Sequence, residues 1–431
     1  MKRLVLLFTL LAAALFPSRA ENYPYRSDYL WVTVPDHADW LYNTGENAIV
    51  EVQFYKHGIP RDGVVKYGIG DDRLPDDRKG EVKLKNGRAT INMGTSRKPG
   101  FRDLRLTMDL EGRKYEHHVK VGFSVDAIRP YTQEPSDFTA FWDKARQEAA
   151  RQPLSYTRER YPALCSDKVD CDLVKLKVDQ RHSIYAYLMM PVGARKGSCP
   201  AVLCPPGAGV KTIKYSNTYY AERGFIRLEI EIHGLDPRIS EETFGEITAA
   251  FNSSGNGYME NGIDNPDRYY MRHVYVAMIK AIDLLTSLPE WDGRNVAVQG
   301  GSQGGGLSLI AAGLDPRVTQ CVANHPAMVD MAGYAEKGRT GGYPHMKGDI
   351  LTPGNIRTLS YFDVINFARH ITCPVRMTWG YNDNVCPPTT SYAVWNTLQC
   401  PKEAVITPIN EHWSTHEVEN GHVEWILNHL K

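Results

Sequence analysis

The chain has 431 residues, 42% of them hydrophobic and 23% charged, with no low-complexity tract. That length exceeds one ordinary core and predicts two domains. Its 50 basic and 50 acidic residues cancel to zero net charge, so no overall field favours nucleic acid or an anionic membrane, and neither is expected as a partner.

The N-terminus reads as a targeting segment. Lys2 and Arg3 give a positive start, and the apolar run Leu4 to Phe16 is too short to span a bilayer comfortably. Ser18-Arg19-Ala20 supplies small residues for cleavage, so residues 1–20 are expected to be a signal peptide and Glu21 the start of the mature chain. The protein is then exported, periplasmic or secreted, with no membrane contact after cleavage.

Residues 21–125 read as all-β. Short alternating runs recur at Leu30–Val34, Ala48–Phe54, Glu81–Leu84, Leu104–Met108 and His118–Val121, separated by Gly-, Pro- and Asp-rich turns. The pattern predicts a small immunoglobulin-like β-sandwich. Tyr25, Trp31, Trp40 and Tyr42 suit core and interdomain packing better than a sugar platform. His117 and His118 are expected on an exposed strand surface.

The junction Ile128-Arg129-Pro130-Tyr131 opens a second domain, residues 130–431. An amphipathic helix is expected to run to about Ala150, with Ser136 as its N-cap. Of the eight cysteines, Cys165 and Cys171 form the best candidate disulfide; Cys204, Cys321 and Cys373 sit in apolar strand-like runs and read as buried. No spacing resembles a zinc site, and no metal or organic cofactor is expected. From Cys171 onward strands and helices alternate, interrupted by a polar insertion from Asp236 to about Arg268. Alternation predicts a mainly parallel sheet covered on both faces.

Within this domain, Gly300-Gly301-Ser302-Gln303-Gly304 reads G-x-S-x-G between the apolar strand Val296-Ala297-Val298 and a helix-like run from Gly305 to Ala312. Strand, sharp turn, serine and helix form the nucleophile elbow of the α/β-hydrolase fold. Ser302 is the candidate nucleophile, and the Gln303 N–H at the helix start is a candidate oxyanion donor.

A serine hydroxyl needs a base, and the base needs a carboxylate to orient it. The fold's chain order is Ser, Asp or Glu, then His. Asp383 follows the apolar strand Val375–Trp379 and fits the acid. Of three late histidines, His416 precedes the last helix and is the expected base; His412, nearer the strand end, is the alternative; His422 is expected inside that helix facing solvent. The second oxyanion donor is expected after the strand Ala201–Cys204, where Gly207 and Ala208 allow close approach, and the Ala208 N–H is the candidate. His233 either lines the pocket or is a satisfied structural histidine.

These segments resemble the acetyl xylan esterase / cephalosporin-C deacetylase family, carbohydrate esterase family seven. The likeness covers about residues 130–431 and rests on three segments. One runs from Tyr269-Tyr270-Met271-Arg272-His273 through Leu288-Pro289-Glu290-Trp291-Asp292 to Gly300-Gly301-Ser302-Gln303-Gly304-Gly305-Gly306. Another runs from Leu359-Ser360-Tyr361-Phe362-Asp363 to Gly380-Tyr381-Asn382-Asp383-Asn384-Val385-Cys386-Pro387-Pro388. The third is the late His416-Glu417. The resemblance implies Ser302, Asp383 and His416 as the triad. It also implies removal of acetyl groups from sugar hydroxyls, often on xylan-derived oligosaccharides. The chain departs from the family pattern at His233-Gly234-Leu235 (usually Arg-Gly-Gln), at Pro206-Gly207-Ala208 (usually His-Gly-Tyr) and in its extra β-domain. A homo-oligomer is left open. The competing readings are an α/β-hydrolase peptidase and a carbohydrate-binding protein with an inactive hydrolase domain.

Overall fold

The computed structural model describes residues 28–213, 217–252 and 257–431. The expected signal segment and Tyr25 lie outside them. The N-terminal β region is a pair of sheets. One holds β1 (Tyr29–Pro35), β3 (Ala48–Lys56), β4 (Ile59–Pro60) and β7 (Arg88–Gly94); the other runs β2 (Leu41–Tyr42), β9 (Arg113–Phe123), β8 (Gly100–Leu110), β5 (Val64–Asp71), β6 (Asp76–Lys83). Alternation explains the faces: in β3, Ala48, Val50, Val52 and Phe54 are buried between less buried neighbours. Phe54 meets Tyr115 of the opposite sheet edge-on at 5.1 Å. Trp31, Trp40 and Tyr42 are buried, so the aromatics serve packing.

The second region is built on one nine-stranded sheet. Its strands are β10 (Tyr156–Arg160), β11 (Val169–Lys177), β12 (Ser183–Pro191), β13 (Cys199–Cys204), β14 (Ile226–Ile230), β15 (Trp291–Gly301), β16 (Gln320–Asn324), β17 (Val375–Trp379) and β18 (Lys402–Ile406). The spatial order is β10-β11-β12-β14-β13-β15-β16-β17-β18. Pairing is antiparallel from β10 to β14 and parallel from β14 to β18. The central strands β13 and β16 are apolar runs without alternation because helices cover both faces. The outermost strand β10 carries exposed Arg158, Glu159 and Arg160, which keep its free edge from pairing with another chain.

Three expectations are corrected. The helix Phe138–Arg151 starts after Asp137, not Ser136, and Asp137 makes no side-chain cap. Cys165 and Cys171 are free thiols; the Cys171 N–H points at the Cys165 sulfur, 3.4 Å away. His118 is not on open surface: its Nδ1 is 3.1 Å from Asp103, and its Nε2 is turned toward Asn384 and Glu411 of the second region. Strand period predicts two faces but does not say whether the polar face meets water or another part of the chain.

The two regions share one continuous buried cluster, reaching from Trp31 through Phe101 and Tyr381 to Leu398. Phe101 packs on Tyr381 at 5.0 Å and on Tyr392 at 5.7 Å between ring centres. The Asn396 amide donates to the carbonyls of Val125 and Ile128 at 2.9 and 3.1 Å.

Candidate active site

Ser302 stands between β15 and the helix Gln303–Leu314, with φ 58° and ψ −124°. The strain is held by bonds on both sides. Ser302 N–H donates to Asn324 O at 2.9 Å, and its carbonyl accepts from Gly306 and Ala327 N–H at 3.0 and 2.9 Å. The glycines are sterically required. A Cβ on Gly300 would lie 2.6 Å from the Gly304 carbonyl carbon, and one on Gly304 would lie 2.5 Å from Pro205 O. The elbow, the helix start and the loop after β13 therefore touch backbone to backbone.

Asp383 is fully buried on the loop after β17. One carboxylate oxygen accepts the N–H groups of Val385 and Cys386 at 2.7 and 2.8 Å. The other lies 2.7 Å from His412 Nδ1, and His412 Nε2 lies 3.0 Å from Ser302 Oγ. The histidine brought to Ser302 is thus His412, not the expected His416. His416 is the first residue of the helix His416–Asn428, capped by Thr415. Its side chain is 83% exposed, and its ion-pair partner among the described residues is Glu419, at 3.9 Å. The loop after β18 explains the difference. Asn410 O accepts from Asn382 N–H at 3.1 Å, folding residues 409–413 back over the acid loop before the helix begins. His422 also departs from expectation. It is buried, and burial with nearby Arg376 pushes it down to about 4.

His325, which no sequence signal singled out, packs against His412 with ring centres 4.3 Å apart and planes tilted by 52°. Burial pushes its imidazole down to about 4 and His412 adds to the effect, so it is neutral beside the base. Cys386 is a second residue missed from sequence. An Asp383 oxygen, the Cys386 sulfur and a His412 ring nitrogen lie within 4.8 Å of one another.

The loop carrying Ala208 is fixed by side chains from elsewhere. Gly209 N–H donates to Tyr258 Oη at 3.2 Å, and Tyr258 Oη–H donates to Gln303 Oε1 at 2.6 Å. Gly209 O lies 3.2 Å from His233 Nε2, while His233 Nδ1 lies 2.7 Å from Tyr270 Oη. Burial pushes His233 down to about 4, so the neutral ring donates from Nε2 and accepts at Nδ1. His233 is therefore a satisfied histidine that also tethers a pocket loop. Tyr258 comes from the insertion between Asp236 and Arg268, and nothing in its local pattern marks it. Gln303 is the first residue of its helix, where backbone N–H groups have no intrahelical acceptor and face outward.

A strained serine elbow on a mostly parallel sheet, with aspartate and histidine converging on it, defines an α/β-hydrolase. The chain belongs to the acetyl xylan esterase family, whose model (AXE1) matches residues 123–429. It is 57% identical over 435 residues to the acetyl esterase Axe7A of Xylanibacter ruminicola, covering 100% of this chain and 98% of that protein. The fold matches an acetyl xylan esterase from Paenibacillus sp. R4 with TM-score 0.62 and 27% identity, over 71% of this chain and 98% of that one. It also matches acetyl xylan esterase 1 from Thermoanaerobacterium sp. JW/SL YS485, with TM-score 0.59 and 23% identity, over 70% and 97%. The chain is a carboxylic ester hydrolase. The family model begins at residue 123, so the β-domain lies almost wholly outside it.

Proposed function

We propose that this protein is an exported serine esterase that removes acetyl groups from the sugar hydroxyls of xylan-derived or related oligosaccharides. The observation that carries the mechanism is the unbroken chain Asp383–His412–Ser302, with links of 2.7 and 3.0 Å. Ser302 Oγ attacks the acetyl carbonyl while His412 Nε2 takes its proton. Asp383, itself held by two backbone N–H groups, keeps Nδ1 protonated and stabilises the imidazolium. The Gln303 and Ala208 N–H groups receive the developing oxyanion. His412 then protonates the departing sugar oxygen, activates water against the acetyl-enzyme, and acetate leaves. Each step moves a proton between named groups and needs no cofactor.

The substrate assignment draws on the family and on the relatives' acetyl esterase activity, and export on Lys2 to Ala20. Acetate release from acetylated xylo-oligosaccharides and from p-nitrophenyl acetate, by wild type and Ser302→Ala, tests the reading. Release from both, abolished in the variant, is expected. Serine-dependent release from the nitrophenyl ester alone would reject the xylan assignment.

A further inference from the structure

We infer that the N-terminal β-domain is part of the catalytic apparatus, with its strand β9 bracing the two loops that carry Asp383 and His412, and with Lys120 as the positioning residue. This rests on the triad reading above.

Lys120 is fully buried. A buried ammonium persists only where it is paired and hydrogen-bonded. Its Nζ is 2.8 Å from Asp72 Oδ1 and donates to the main-chain oxygen of Asp383 at 2.6 Å. Asp72, also buried, accepts through its other oxygen from the hydroxyl and N–H of Thr389, at 2.8 and 3.3 Å. The Lys120 N–H donates to Asn382 Oδ1 at 2.9 Å, and the Asn382 amide donates to Ile409 O at 3.2 Å.

Two residues earlier on the same strand face, His118 repeats the pattern. Its Nε2 lies 3.6 Å from Glu411 and 3.3 Å from the Asn384 amide. One strand of the β-domain thereby touches residues 382, 383, 384 and 411, the acid itself and immediate neighbours of acid and base. The direction of the Asp383 carboxylate is set by the turn in which Val385 and Cys386 donate to it. Lys120 fixes the carbonyl of that same residue. A positioning error of about 1 Å at a triad costs up to ~10²-fold in rate, so the brace is felt in kcat.

The test uses the full-length protein. Lys120→Met alone would strand the Asp72 carboxylate, so the informative variant is Lys120→Met/Asp72→Asn. Asn396→Ala is the control, because Asn396 anchors the β-domain away from the triad loops. For the double variant kcat on acetylated xylo-oligosaccharide is expected to fall by ~10-fold to 10²-fold, with KM little changed. Labelling of Ser302 by a small phosphonate should slow in parallel. The acid limb of kcat/KM should move to lower pH, since a loosened Asp383 stabilises the imidazolium less. Asn396→Ala should lower the unfolding temperature and leave kcat and the acid limb in place. Wild-type kcat and acid limb in a folded double variant would overturn the inference. If that variant does not fold, Asn382→Ala, which removes the amide bridge from the Lys120 N–H to the Ile409 carbonyl and leaves the Lys120 and His118 side-chain links in place, is read the same way with a smaller expected fall in kcat. Ser302→Ala and His412→Ala separate the two claims: if either keeps activity the triad reading fails, whatever Lys120 does.

Discussion

Replacing His412 by alanine removes both links of the catalytic chain at once, the 2.7 Å contact to Asp383 and the 3.0 Å contact to Ser302. Loss of the histidine base from a serine triad costs about 10⁶-fold in kcat, or ~8 kcal/mol at 1.36 kcal/mol per factor of ten. The neutral His325 below it contacts the His412 ring and has no bond to Ser302 among the described residues, so it does not replace the base. His416→Ala, by contrast, removes an 83% exposed side chain that pairs, among the described residues, with Glu419, and kcat should not change. The assay is initial-rate acetate release by both variants, with active serine counted by phosphonate titration and folding checked by thermal unfolding. If His416→Ala lost activity while His412→Ala kept it, the geometry assigned to the base would be wrong.

Gly300→Ala places a methyl 2.6 Å from Gly304 backbone; this overpacking should cost about 1–3 kcal/mol and activity with it, and an unchanged unfolding temperature would contradict the clash. Tyr258→Phe removes the bridge between Gly209 and Gln303 and leaves a buried amide oxygen unpaired, at about 1–3 kcal/mol. Denaturant titration should show that loss together with a lower kcat, and wild-type values for both would refute the bridge. For His118, burial opposes the charge but the hydrogen bonds to Asp103 and Glu411 outweigh it, raising the pKa from 6.5 to about 9. Its stabilisation is complete below the unfolded value and disappears as pH rises through the folded one. The stability gap between wild type and His118→Gln should therefore shrink between pH 6.5 and pH 9; a pH-independent gap would count against the pairing. The oxygen, sulfur and nitrogen donors of Asp383, Cys386 and His412 within 4.8 Å suit thiophilic divalent cations. Zn2+ or Cd2+ should inhibit reversibly by chelation, and Cys386→Ser should weaken that inhibition by ~10-fold or more relative to its own metal-free rate; equal sensitivity would place the metal elsewhere.

Much of the framework was legible because its signals are local. The elbow needs small residues around a serine between strand and helix, and that pattern stands in the chain. Asp383 follows from its place after an apolar strand. The base was harder, because both His412 and His416 follow closely after the last strand. Thr415, which caps that helix by accepting from Val418 N–H, was the overlooked signal: it makes His416 helical and points it outward. Lys120 was illegible for a different reason. In His-Val-Lys-Val the lysine alternates as a solvent-facing residue does, yet β9 is covered on both faces, by the opposite β-sheet and by the hydrolase. Tyr258, from the polar insertion, meets Gln303 across 45 positions of sequence, beyond the reach of any periodicity.

The buried cluster that both regions share, running from Trp31 to Leu398, has a thermodynamic consequence. Two domains joined by a linker melt separately, whereas two that share a core and a buried ion pair unfold together. Heating should therefore give one transition, without a species in which the hydrolase outlives its β-sheets. By linkage, an acyl or phosphonyl adduct on Ser302 that tightens the acid and base loops must also raise the temperature at which β9 is released.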